Sequence, residues 1–312
     1  MKTCKAVLAP ALFWTVAALV PAGATSAALS IYAIQYTTDP DGHSGQVGNT
    51  VDCDGGIVTH KFRGTRPKLT LQDPNFPDGW GGIQVKDWTA GLTLFDHVSV
   101  GDWVSFTSVL VEEYRGNTLL KYPSDTGSGF AVESSGNPLP DPKVVSPADI
   151  AAPVEGPVGE WYVADHTAER YEAMRLTVED VIVTDMKLGK ANDNYVLQGA
   201  GGSCWAGDYM NVDVGVDYYH PYISTGAEFQ SVSGILEQYT KLTSWWDYYQ
   251  LLTTETSDLV IPEPGAGAIF LMAAWAVLLR RRRRRWIAAG ARGTPAAPRW
   301  LPESRGYLPQ IA

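Results

Sequence analysis

Between its two ends the chain has little helical periodicity. Valine, isoleucine, threonine, tyrosine and tryptophan come in short runs, separated by glycine, proline, asparagine and aspartate. That is the pattern of strands and turns rather than of amphipathic helices. The stretches Thr50 to Phe62, Leu69 to Gln72, Ile83 to Val85, Trp103 to Val111 and Leu119 to Tyr122 predict five strands. Prolines 138, 140, 142, 147, 153 and 157 then crowd one segment and predict a linker over 139–157.

The second half repeats the first. Gly56-Ile57-Val58-Thr59 corresponds to Val181-Ile182-Val183-Thr184, Gly101 to Gly226, and Glu113-Tyr114 to Gln238-Tyr239, each 125 residues further on. Thr70-Leu71-Gln72 corresponds to Val196-Leu197-Gln198 at an offset of 126. Ala148-Asp149-Ile150 and Ser257-Asp258-Leu259 close the two units. Anchors in constant register predict an internal duplication. Five strands per unit, the first and fourth long enough to curl, fit a small closed Greek-key barrel. An immunoglobulin-like sandwich would want about seven strands. The fold class expected is therefore all-β, with a barrel over 28–138, the linker, and a second barrel over 158–260.

The two ends are different in kind. Lys2 and Lys5, an apolar run from Ala6 to Val20, and the small residues up to Ala27 read as a secretory signal peptide over 1–27. At the other end Ile261-Pro262-Glu263-Pro264-Gly265 forms an extended hinge, because proline restrains both itself and its predecessor. An uncharged apolar run, Ala266 to Leu279, follows and predicts a transmembrane helix stopped by six arginines, Arg280 to Arg285. The run is short for a bilayer core: at about 1.5 Å per residue it reaches roughly 21 Å. Trp286 to Ala312 reads as a disordered cytoplasmic tail. With this topology the body is exported, where a disulfide between Cys53 and Cys204 and two free thiols are both open readings.

Charge divides along the same lines. Residues 28–265 hold 33 acidic and 13 basic side chains, a balance of −20, although the whole chain stands at −10. A body of this sign repels phosphate backbones and lacks the basic field of non-specific nucleic-acid binding.

Two resemblances rest on these residues. Pro262-Glu263-Pro264, the apolar helix and the cluster beginning Arg280, Arg281, Arg282 together resemble the PEP-CTERM sorting signal over 261–285. That likeness implies an exosortase-type transpeptidase and a signal peptidase as partners, passage through the inner membrane, and a cell-surface or extracellular destination in a Gram-negative-type bacterium. Ile31 to Pro40, Val47-Gly48-Asn49-Thr50-Val51, Gly56 to Thr59 and Val100-Gly101-Asp102-Trp103-Val104 resemble the OB-fold domains attached to extracellular bacterial nucleases. The likeness is weaker over 160–259, where Gly226-Ala227-Glu228 departs from the Gly-Asp pattern. It implies OB-like barrels used for binding, with nucleic-acid binding beside a separate nuclease as the alternative to a saccharide or other envelope ligand.

No catalytic constellation emerges. The five histidines have no metal-ligand spacing, no nucleophile elbow occurs, and the acidic turns Asp39 to Gly42 and Asp73 to Gly79 read as turn chemistry. No cofactor, metal or enzymatic activity is expected. The excess of rings in the second unit is the one binding signal. Tyr195, Trp205, Tyr239, Trp246 and Tyr248 are the candidate stacking residues. Alternation along a strand would still bury about half of such rings.

Overall fold

In the computed structural model the described residues are 27–263, apart from 65–66, 88–92, 124–126, 189–192, 215–218, 242 and 244–245. Residues 1–26 of the signal peptide, Pro264, the apolar run, the arginine cluster and the tail lie outside them. Among the described residues no helix is long and apolar enough to cross a membrane.

Ten strands build two barrels. The first contains β1 (Thr50–Phe62), β2 (Lys68–Gln72), β3 (Gly82–Asp87), β4 (Trp103–Tyr114) and β5 (Asn117–Tyr122). The second contains β6 (Arg175–Leu188), β7 (Asn194–Gly199), β8 (Gly202–Gly207), β9 (Glu228–Lys241) and β10 (Trp246–Leu252). Their orders are β1-β2-β3-β5-β4 and β6-β7-β8-β10-β9, and the pairs β1–β4 and β6–β9 close the barrels. Within each barrel β3–β5 and β8–β10 are the parallel pairs. This is the OB-like Greek-key connectivity, made twice.

The duplication is visible atom by atom. Gly101 donates to Val58 O at 2.9 Å, and Val58 donates to Asp102 O at 2.8 Å. Gly226 donates to Val183 O at 2.7 Å, and Val183 donates to Ala227 O at 2.9 Å. Both glycines take φ near +90°, at 90° and 88°, where an L side chain is strained. The missing aspartate in the second unit is tolerated because the turn is held by backbone bonds. Ala227 N still reaches Ser224 O at 2.9 Å, as Asp102 N reaches Ser99 O at 3.0 Å.

Each barrel has its own core. Val58, Leu71, Val85, Val104 and Leu120 fill the first, and the turn of helix Ile31–Gln35 plugs it with Ile31 and Ile34. Val178, Val183, Leu197, Phe229 and Leu251 fill the second, plugged by Ala168 and Tyr171 from the 3-10 turn His166–Tyr171. Each fully buried aliphatic side chain contributes about 1.5–3 kcal/mol. Cys53 and Cys204 sit in different cores as free thiols, and burial pushes both up to about 12. The proline-rich stretch also pairs: Lys143–Val144 runs parallel to β6, and Val154–Glu155 pairs with Trp161–Tyr162.

The barrels meet along a polar seam. Lys68 on β2 forms an ion pair with Glu237 on β9, and both are mostly buried. Glu237 also accepts from Tyr209 Oη at 2.5 Å and from Gln84 Nε2 on β3 at 3.2 Å. Asn117 at the start of β5 donates to Gln238 O at 2.6 Å and accepts from Gln238 N at 3.2 Å. Arg175 N donates to Gln72 Oε1 at 3.0 Å, and Thr240 N to Arg115 O at 2.8 Å. Gly82 is required here: a Cβ would stand 2.4 Å from Glu172 O and from the carbonyl carbon of Ala173.

Candidate functional site

The two-residue turn between β4 and β5 has Arg115 and Gly116 at φ 62° and 84°, the left-handed pair of a tight hairpin. The turn projects across the seam onto β9. A cleft of about 630 Å³ opens there, lined by Glu113, Arg115, Gln238, Thr240 and Asp247, with His43 and His166 on its rim. Asp247 Oδ1 accepts from Gln238 Nε2 at 2.7 Å and from Thr240 Oγ1 at 2.8 Å, which fixes its carboxylate. The Arg115 guanidinium lies over the rings of Tyr114 and Tyr239, at 5.8 and 5.6 Å. Acceptors and donors from both barrels thus share one opening.

A chain of hydrogen bonds leads from this cleft into the seam. His43 Nδ1 stands 3.9 Å from Glu113 Oε2, which accepts from Thr118 Oγ1 at 3.0 Å. Thr118 N donates to Glu172 Oε2 at 3.2 Å. On the other side His166 Nδ1 is 3.0 Å from Tyr249 Oη, which donates to Glu169 Oε2 at 2.7 Å. Glu169 and Glu172 are both buried, and the charge of Glu169 acts on Glu172. Glu172 Oε1 meets no protein donor. A proton on one of the two carboxyls spares the seam two adjacent buried charges. Burial, partly offset by the Tyr249 hydroxyl, raises Glu169 to about 7, and burial with the charge of Glu169 raises Glu172 further above the carboxylate range. The loop over this pair needs Gly42, whose Cβ would stand 3.0 Å from Glu169 Oε2.

The candidate stacking rings fall into two groups. Tyr195 is inside the second barrel, fully buried, with its hydroxyl donating to Asp208 Oδ1 at 2.9 Å. Burial also raises that aspartate above its ordinary range. Trp205, Tyr239 and Tyr248 form a separate outward cluster on β8, β9 and β10, joined by the half-buried Trp246. Strand alternation sends Cys204 and Ala206 inward and Trp205 outward, and Tyr249 inward and Tyr248 outward. Trp205 and Tyr248 are nonetheless only 2% and 0% exposed, so neither faces solvent as the structure stands. Pro262 and Glu263 are exposed coil after the last strand, whereas Pro264 and Arg280, Arg281 and Arg282 lie outside the described residues, as does Trp245.

Sequence reasoning missed the carboxyl pair. Its only written trace is the spacing of Glu169 and Glu172, common among 34 acidic residues. Among the described residues no group of three or more histidine, cysteine, aspartate or glutamate side chains is placed to hold a metal ion.

No protein-family profile matches the chain, and no curated protein matches it. Among solved structures it is similar to a replication protein A heterotrimer bound to ssDNA, at 10% identity over 73% of this chain and 69% of that chain, with a TM-score of 0.20. A score that low transfers no function.

The carboxyl pair makes stability depend on pH with a definite sign. Glu169 titrates near 4.5 unfolded and about 7 folded, so its contribution is complete below about 4.5 and is lost as pH rises through about 7. Urea midpoints should fall from about pH 4.5 through about 7 and go on falling above it while Glu172 titrates. Glu172→Gln should flatten the fall, because it removes one of the two buried titrating carboxyls. An unchanged pH profile in this variant would refute the buried proton.

Proposed function

We propose that the chain is an exported, non-enzymatic binding protein of a Gram-negative-type cell surface or extracellular matrix. Its ligand would be a neutral saccharide held in the cleft between the barrels. The cleft carries this reading. Its volume lies in the range of small-ligand sites, and its lining alternates carboxylates, Glu113 and Asp247, with the donors Arg115 and Gln238. Vicinal sugar hydroxyls each donate and accept, so they match such a lining. The body's −20 balance opposes a polyphosphate ligand.

Delivery is the second part of the proposal. The signal peptide and the Pro-Glu-Pro, apolar and arginine series support export, recognition by an exosortase-type transpeptidase, and transfer to the surface. Exposure of Pro262 and Glu263 after the compact body favours access by such an enzyme.

Titration calorimetry of the exported protein with cellohexaose and mannohexaose tests the ligand. Binding should weaken at least ~10-fold in Arg115→Ala, the loss expected of one charged hydrogen bond. Equal affinity in that variant, release of reducing sugar, or a DNA shift abolished by salt would overturn the reading. Intact-mass measurement tests delivery: a mature chain ending near Pro262 to Gly265 is expected, and one retaining the arginines would exclude sorting by cleavage.

A further inference from the structure

The outward cluster of the second barrel has the form of a stacking surface with a lid. Trp205 and Tyr248 have ring centroids 4.7 Å apart, and Tyr248 and Tyr239 are 5.6 Å apart. Three rings on adjacent strands β8, β10 and β9 make a continuous aromatic wall. Ala152 and Trp161 cover it, and Trp161 packs edge-on against Trp205 at 4.6 Å.

The covering segment is attached lightly. Val154–Glu155 and Trp161–Tyr162 form their own small hairpin, with Gly156 N donating to Glu160 O at 2.8 Å. Among the described residues its ties to the barrel are Ala152 N to Ser203 O at 2.8 Å, one pairing of Trp161 with Trp246, and Trp246 Nε1 to Gly159 O at 3.3 Å. The rest faces water: Val154, Tyr162 and Val158 are 56%, 44% and 83% exposed. Trp161 is therefore the one large side chain that seats the segment on the wall. Chain features at its start suit a hinge, with Ala151 at φ 60° followed shortly by Pro153.

We propose that residues 152–162 are a removable strap, and that Trp161 occupies the place of a sugar ring on the wall of Trp205, Tyr248 and Tyr239. When the strap lifts, the wall accepts a hexose unit of a neutral polysaccharide by stacking. Tryptophan and tyrosine are suited to this, since they give large flat contact with little loss of side-chain freedom. The body's −20 balance disfavours a nucleic-acid chain here, although Arg115 and Lys241 stand over Tyr239 and Trp246 at 5.6 and 5.2 Å. The strap site adjoins the cleft, and Arg115 of the cleft stands over the Tyr239 ring of the wall at 5.6 Å.

Amide hydrogen exchange of the exported protein reads strap opening without any ligand. Local opening should let residues 152–162 exchange at least ~100-fold faster than β10, whose amides need a larger unfolding. Exchange of both at one rate would make the strap an integral part of the barrel and overturn the proposal. Titration with cellohexaose in a Glu113→Gln background, which weakens the cleft at a residue with no contact to the wall rings, then tests the wall. Adding Trp161→Ala should tighten binding at least ~10-fold by removing the competing ring. No gain in a variant whose thermal transition is retained would also overturn it.

Discussion

The buried contact of Lys68 with Glu237 is the constraint on which the rest of the body depends. A mostly desolvated ion pair is tolerated only when its remaining polar atoms are satisfied. Here Tyr209 and Gln84 both donate to the Glu237 carboxylate. Removing either charge would leave the other buried without its counter-charge, at about 3–5 kcal/mol. The pair ties β2 to β9, and the double bond of Asn117 to the backbone of Gln238 sets the register of that contact. Two duplicated barrels are thereby fixed to one another by polar groups that tolerate only a narrow geometry.

The cleft is a consequence of that fixing. Its walls come from the β4–β5 turn of the first barrel and from β9 and β10 of the second, so neither barrel could form it alone. The carboxyls of Glu169 and Glu172 sit in the same seam, linked to the cleft through Tyr249 and Thr118. Any titration of that pair acts on the contact that shapes the opening. The aromatic wall lies on the second barrel under the strap, with Arg115 of the first barrel standing over its Tyr239 ring.

The sequence made the barrels legible because a duplicated fold repeats its special positions. Gly101 and Gly226 stood 125 residues apart, and each proves to start the turn into a long strand, bonded to equivalent residues Val58 and Val183. Period-two alternation also brought four of the five candidate rings, Trp205, Tyr239, Trp246 and Tyr248, to one cluster. It could not tell that Tyr195 points into the core, because a tyrosine with a buried aspartate partner looks in sequence like any other. Nor could it show that Trp161, outside the candidate set, covers the wall. The seam was invisible for a similar reason: Lys68 and Glu237 are 169 residues apart, and no local pattern marks a lysine that will be buried.

Calorimetry of the exported protein near pH 5, where the carboxyl pair is protonated, tests most directly whether the two barrels are one body. The seam predicts a single unfolding transition whose calorimetric and van't Hoff enthalpies agree. Two resolved transitions, one for each barrel, would contradict it.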